Sequence, residues 1–255
     1  MYDLSDKCIL VTGASKGIGA VTVRRLAEAG ASVVAHYGSD RAGAEAAVDG
    51  LDADKVRLIG ADFSDLAQVE ALWDEAQHFR GRVDVFVNNA AMMLFGDGFN
   101  ESIEQWDDIW ERTFRINVLA SSRLLRRAVL HYLEAGGGTI ITLSSWAAQK
   151  GVTNPATIAY GASKAAVHNA TQTIARAHAA DGILAYSIAP GVVRTRMSED
   201  FAASMGGEDD VTRGLAMKEW VPPEDIAETC VFLATGLARH LTGATLDING
   251  ASYVR

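Results

Sequence analysis

Seven short apolar runs recur along the chain, and the stretches between them carry helical spacing. The runs are CILVTG (8–13), SVVAHY (32–37), VRLIGAD (56–62), VDVFVNNA (83–90), TIITLSS (139–145), ILAYSIAP (183–190) and ATLDING (244–250). A strand that is apolar at nearly every position has no wet face, so both of its sides must be covered. The intervening stretches can supply that cover. In SDLAQVEALWDEAQHF (64–79), Leu66, Val69, Leu72 and Ala76 fall on one helix face. Helical crossovers join parallel strands and bury both faces of the sheet. The pattern predicts an α/β fold: three layers, a Rossmann-type doubly wound parallel sheet of about seven strands, and helices on both faces. With 255 residues, no repeat, no linker and only four prolines to punctuate a boundary, one domain over 1–255 is expected.

Composition removes several classes of function. No apolar run approaches the roughly 18 residues of a membrane span, so no membrane partner is expected. The opening MYDLSDKCILVTG places acids before its apolar stretch and lacks a basic segment, so it does not read as a signal peptide and a cytoplasmic protein is expected. Cys8 and Cys230 each sit in an apolar segment and are expected as buried thiols. The six histidines are scattered, with no HxxxH pair, and no metal is predicted. A net charge of −9 argues against nucleic acid.

The first run breaks into TGASKGIG (12–19) just where a helical pattern begins. Such a turn brings backbone N–H groups up to a pyrophosphate, with the positive end of the next helix behind them. Gly13 is expected to take the special backbone angles, Gly17 to admit close approach, and Gly19 to let the helix pack on the sheet. Ser15, Lys16 and Ile18 complete the candidate cradle. The spacing is GxxxGxG rather than GxGxxG, and glycines alone also make plain loops; the position after an amino-terminal strand favours a dinucleotide. The second strand ends His36-Tyr37-Gly38-Ser39, with no carboxylate until Asp40. An acid there would bind a ribose 2′-hydroxyl and repel a 2′-phosphate. Tyr37, Gly38 and Ser39 are therefore ribose-side candidates. Lys16 and Arg41 favour NADP(H) over NAD(H), against the plainer reading of both as solvated surface.

Tyr160 and Lys164, in YGASK, are four apart on one helix face. Reducing a carbonyl needs an acid for the developing alkoxide, and an ammonium beside a phenol would lower its pKa toward that task. Ser145, ending a strand, can hydrogen-bond the carbonyl oxygen. A Tyr-x-x-x-Lys pair by itself is more often plain helix surface.

Several such motifs occur in one order: TGASKGIG (12–19), Asp62 ending the third strand, NNAA (88–91), Asn117 in RINV, Ser145 in LSSW, YGASK (160–164) and PGVVRT (190–195). On these the chain resembles the short-chain dehydrogenase/reductase family over nearly its whole length. The resemblance implies an NAD(P)(H)-dependent oxidoreductase that interconverts a carbonyl and a secondary alcohol. It makes Tyr160 the general acid or base, Lys164 the group that depresses its pKa and binds the nicotinamide ribose, and Ser145 the group that orients the substrate oxygen. Asn117 would hold a water in the proton relay behind Lys164. Asp62 and Phe63 would border the adenine, and Asn89 and Ala90 the adenosine ribose. Pro190, Gly191, Val193 and Thr195 would fix the carboxamide. A homotetramer is the expected assembly. Two departures stand out: NNAA for the usual NNAG, and DINGASYVR without the usual double glycine.

Three other readings compete. A sugar-nucleotide epimerase shares the Tyr-Lys pair, but only 60 residues follow Thr195, too few for its substrate domain. A non-catalytic dinucleotide sensor would typically lack the tyrosine or lysine. A 3-oxoacyl-acyl-carrier-protein reductase would need a basic patch for its acidic carrier. The helix ending HYLEAGGG (131–138) lacks one, although Arg123, Arg126 and Arg127 precede it. The substrate side is expected over 92–100, 146–157 and 196–220, where Met92, Met93, Leu94, Phe95 and Trp146 mix with Gln149, Lys150 and Asn154. The stretch 196–220, with Gly206-Gly207, reads as a mobile lid over a small-molecule carbonyl or alcohol.

Overall fold

A computed structural model describes residues 2–254. All seven expected strands are present: β1 (Cys8–Val11), β2 (Ser32–Tyr37), β3 (Val56–Gly60), β4 (Val85–Asn88), β5 (Gly138–Leu143), β6 (Ile183–Pro190) and β7 (Thr245–Ile248). They form one parallel sheet in the order β3-β2-β1-β4-β5-β6-β7. The order reverses between β1 and β4, and in such sheets ligands bind at the carboxyl ends of the strands flanking that switch.

Side-chain alternation along each strand feeds two cores. On β1, Ile9 and Val11 point to one face and Cys8 and Leu10 to the other. The first face is covered by helices α1 (Gly17–Glu28) and, from further along the chain, α10 (Pro223–Ala234), through Val23, Leu26, Ile226 and Leu233. Between them in sequence lie α2 (Arg41–Val48), α3 (Leu66–Arg80), α4 (Ile103–Phe114), α5 (Ser121–Ala135), α6 (Ala147–Lys150), α7 (Ile158–His178), α8 (Arg196–Ser204) and α9 (Glu208–Gly214). The second face is covered by α3, α5 and α7. There Trp73 is fully buried, edge-on to Phe86 at 5.8 Å and to Tyr132 at 6.5 Å. Leu72, on the face expected from the spacing, is 1% exposed, and cutting such a side chain to alanine typically costs about 2–5 kcal/mol. Cys8 and Cys230 are buried free thiols in opposite cores.

Five of the seven apolar runs overshoot their strands by two residues at the carboxyl end. Pairing stops at Val11, Gly60, Asn88, Leu143 and Ile248 rather than at residues 13, 62, 90, 145 and 250. The extra residues leave the ladder together and form one rim. Asp65 caps α3 through the Ala67 N–H (2.9 Å), and Gly81 at φ 78° ends it. At the glycine turn, α1 follows Lys16 with no side-chain cap, which leaves its first amides to an outside acceptor.

Candidate active site

A cleft of about 740 Å³ runs along that rim, within the roughly 300–1,000 Å³ of small-molecule and cofactor sites. Its amino-terminal wall is the glycine turn. Gly13 has φ 69°, and a Cβ there would lie 2.9 Å from Ala90 Cα. Gly17 has φ 55°, with Thr195 Cγ2 at 3.0 Å from the equivalent position. Thus Gly17 serves the backbone angle as well as close approach, and the group approaching is the chain's own Thr195. Gly19 also differs from expectation. Its absent Cβ would fall 2.1 Å from the Gly13 carbonyl oxygen, so it lets the helix pack on the turn rather than on the sheet. Asn89 holds the turn in place, its Nδ2 donating to the carbonyls of Thr12 (2.7 Å) and Gly13 (3.1 Å). The Thr12 hydroxyl accepts from the N–H groups of Asn89 and Ala90.

Of the expected cofactor residues, Gly13, Ser15, Lys16, Gly17, Ile18, Gly19, Gly38, Ser39, Asp62, Phe63, Asn89, Ala90, Pro190, Gly191, Val193 and Thr195 line the cleft, as do Tyr160 and Lys164. Tyr37 does not. Its ring lies against Gly60 of the neighbouring strand. Arg41 is also off the cleft, ion-paired to Glu45 at 2.8 Å. Asp40 does line it, but both carboxylate oxygens lie over Gly43 in the first turn of α2, one accepting its N–H at 2.9 Å. Asp62 is held by Ser64, accepting from its N–H (2.8 Å) and hydroxyl (2.7 Å), which keeps its pKa low.

At the far end of the cleft Ser145, Tyr160 and Lys164 come together. The Ser145 hydroxyl lies close enough to the Tyr160 phenol to favour its ionised form. Burial of the phenol end still pushes Tyr160 up to about 12, although part of the residue's surface stays exposed. Lys164 is 5% exposed, donates to the Leu143 carbonyl at 2.7 Å and lies 5.8 Å from the centroid of the tyrosine ring. Burial lowers it to about 8. Burial outweighs the lowering influence of Ser145, and the phenol is protonated.

Asn117 sits behind this group rather than on the cleft. Its Nδ2 donates to Met92 O and to Ser163 Oγ, both at 2.9 Å, and its Oδ1 accepts from Met92 N–H at 2.8 Å. The carboxamide is thus fully engaged as a clamp between the β4 loop and α7. It lies in a π-helical turn, Arg115–Ala120, between α4 and α5. Turns of that width are frequent at functional sites, and periodicity alone does not reveal them.

The two sequence departures differ in consequence. Ala91 does not adopt a positive φ, whereas Ala251 does, at φ 58°. The segment 196–220 forms α8 and α9 around a small core of Val192, Ala202, Leu215 and Trp220, packed on Trp146. Arg196 pairs with Asp200 at 2.9 Å, and Lys150 lies 3.9 Å from the Trp146 ring centroid. His36 was not singled out by spacing, yet it lines the cleft. Its only signal in the sequence is a polar residue in an otherwise apolar strand, which must find partners when buried.

Comparison with known proteins agrees with this geometry. A family model described as enoyl-(acyl carrier protein) reductase matches residues 13–251. A 3beta-hydroxysteroid dehydrogenase from Eggerthella lenta is 35% identical over 254 residues, covering 98% of this chain and 95% of that protein. A 3-oxoacyl-(acyl-carrier-protein) reductase from Staphylococcus aureus is 32% identical, covering 97% and 98%. The crystal structure of a 3-ketoacyl-(acyl-carrier-protein) reductase from Brucella melitensis, complexed with NADH, superposes with a TM-score of 0.85 at 27% identity, covering 97% of this chain and 98% of that one. The chain belongs to the short-chain dehydrogenase/reductase family and is an NAD(P)-dependent oxidoreductase acting on alcohol or carbonyl groups.

Proposed function

We propose that the chain interconverts a small-molecule carbonyl and a secondary alcohol, with Tyr160 as general acid in reduction and general base in oxidation. The observation that carries this reading is the Ser145–Tyr160 hydroxyl pair, with buried Lys164 beside it, at one end of a cleft whose other end is a glycine turn. A Cβ at Gly13 or Gly17 would crowd Ala90 or Thr195, so these glycines let the turn pack closely at the wall where a dinucleotide would lie. A bound nicotinamide would supply or accept the hydride. Ser145 orients the substrate oxygen, and the protonated phenol delivers a proton to it. Lys164, mostly charged at neutral pH, favours the phenolate left behind. The π turn around Asn117 lies behind Lys164, where a water that returns the proton would be held.

NADP(H) is the favoured cofactor. Lys16 and Ser39 line the cleft, while the Asp40 carboxylate is turned over α2 and no other acid ends β2. A carrier-protein substrate is disfavoured, since Arg123 and Arg127 are tied to Glu70 and Arg127 also to Asp74. The non-catalytic sensor is disfavoured by the intact hydroxyl pair. A cytoplasmic homotetramer fits a chain whose α4–α5 region exposes Ile103, Leu119, Leu130 and Leu133. The segment 196–220 acts as a lid.

The test is turnover of a panel of ketones, sugars and secondary alcohols with NADPH and NADH in both directions, for the wild type and Tyr160→Phe. Turnover preferring NADPH and lost in the variant, with cofactor binding retained, is expected. Near-normal turnover in the variant would refute the mechanism, and activity with NADH alone would refute the cofactor preference.

A further inference from the structure

One side chain outside the expected site braces both walls of the adenosine half of the cleft. His36, at the end of β2, is 2% exposed. Its Nδ1 accepts the Gly13 N–H at 3.1 Å, and its backbone carbonyl accepts the Ala14 N–H at 2.7 Å. An accepting Nδ1 places the ring proton on Nε2, which donates to the Ala61 carbonyl at 2.9 Å. The ring lies parallel to Phe63, with centroids 4.4 Å apart at 15°. One residue thus holds the Gly13 and Ala14 amides of the glycine turn and the loop that carries Asp62 and Phe63.

We infer that His36 is a positioning residue for dinucleotide binding, setting the phosphate-facing and adenine-facing walls as one unit. This rests on the cofactor reading above. The N–H groups of Gly13 and Ala14 are engaged by His36 and cannot serve a phosphate. Anion binding therefore falls to the amides that follow, at the uncapped start of α1. Holding the turn in this shape before ligand arrives removes an ordering cost from binding. The position asks for an acceptor on one edge and a donor on the other of a flat body, and a neutral imidazole provides all three. His36 lies on the β2 side of the cleft and Tyr160 on α7, so its effect falls on cofactor binding.

The test titrates wild type, His36→Asn, His36→Gln and His36→Leu with NADPH and NADH by fluorescence, alongside steady-state kinetics. Asparagine puts an oxygen where Nδ1 lies and keeps the Gly13 bond. Glutamine reaches Ala61 but leaves Gly13 without an acceptor, and leucine loses both bonds. Losing the bond to the glycine turn corresponds to about a ten-fold change, and losing only the Ala61 bond on the adenine side to less. The expected dissociation constants rise about three-fold for asparagine and about ten-fold or more for glutamine and leucine. The cofactor KM should follow, with kcat at saturating cofactor nearly constant. Unchanged binding in the folded glutamine and leucine variants overturns the role, as does a loss confined to kcat. Should the leucine variant not fold, equal dissociation constants for the asparagine and glutamine variants overturn it. A wild-type chain that binds neither dinucleotide overturns the cofactor reading itself, a result distinct from tight wild-type binding that the variants leave unmoved.

Discussion

The amino-terminal wall of the cleft is held by hydrogen bonds from neighbouring strands, whereas the wall over 196–220 rests on one small apolar cluster and a few end contacts. In the first wall Thr12, His36 and Asn89 each bind backbone groups across strand boundaries, and Gly19 admits no side chain. In the second, Ala202, Leu215, Trp220 and Val192 pack on Trp146. Its far end is joined to the tail by the Ala216 N–H donating to Ser252 Oγ at 3.1 Å, between the positive-φ residues Lys218 and Ala251. A wall that must meet the same phosphates in every cycle gains from being set in advance, while a wall that admits and releases substrate is drawn from less stable parts of a fold. The difference teaches where each kind of specificity resides.

That contrast can be broken in several places. The largest effect is expected where the walls meet, at Tyr160→Phe, which should lower turnover by about 10²–10⁴-fold and leave dinucleotide affinity nearly intact by titration.

Next comes a pH effect confined to the braced wall. Burial lowers His36 to about 4 from its ordinary 6.5. Between these values the unfolded chain binds the extra proton, so stability is full above about 6.5 and falls as pH drops toward about 4. The loss attributable to this one group is roughly 3 kcal/mol. The difference in denaturant midpoints between wild type and His36→Asn should narrow, or change sign, across that window; parallel curves would show that His36 does not titrate with folding.

A methyl group at Gly19 would collide with the Gly13 carbonyl. Gly19→Ala should therefore destabilise by about 1–3 kcal/mol and weaken cofactor binding in proportion. An unchanged melting temperature would mean that the turn is softer than described. In the other wall Trp220→Ala should raise the substrate KM several-fold and leave cofactor affinity unchanged; equal losses for both ligands would end the distinction between the walls.

The smallest effect is expected at Ala251→Gly. Relief of the left-handed conformation gains about 1–2 kcal/mol, and the added freedom of the unfolded chain offsets about 0.4–1. A net gain of about 0.5 kcal/mol, read from thermal unfolding, is the result that supports strain at this position.

The seven strands, the helices that cover them and the glycine turn follow from local patterns, namely runs apolar on both faces and a turn after the first strand, while the Ser145–Tyr160–Lys164 grouping was legible only through the family resemblance. The local patterns are legible because burial and helix periodicity act on neighbouring residues. Tertiary structure alone decided the rest. It ended five strands two residues early, turned Tyr37 onto Gly60 and Asp40 onto α2, and engaged the Asn117 carboxamide between Met92 and Ser163. It also placed His36 between Gly13 and Ala61, and made burial the dominant influence on Tyr160. The physical reason is common to all of them. Each depends on which groups from distant parts of the chain compete for one hydrogen bond or exclude one volume of water, and a linear pattern carries no record of that competition.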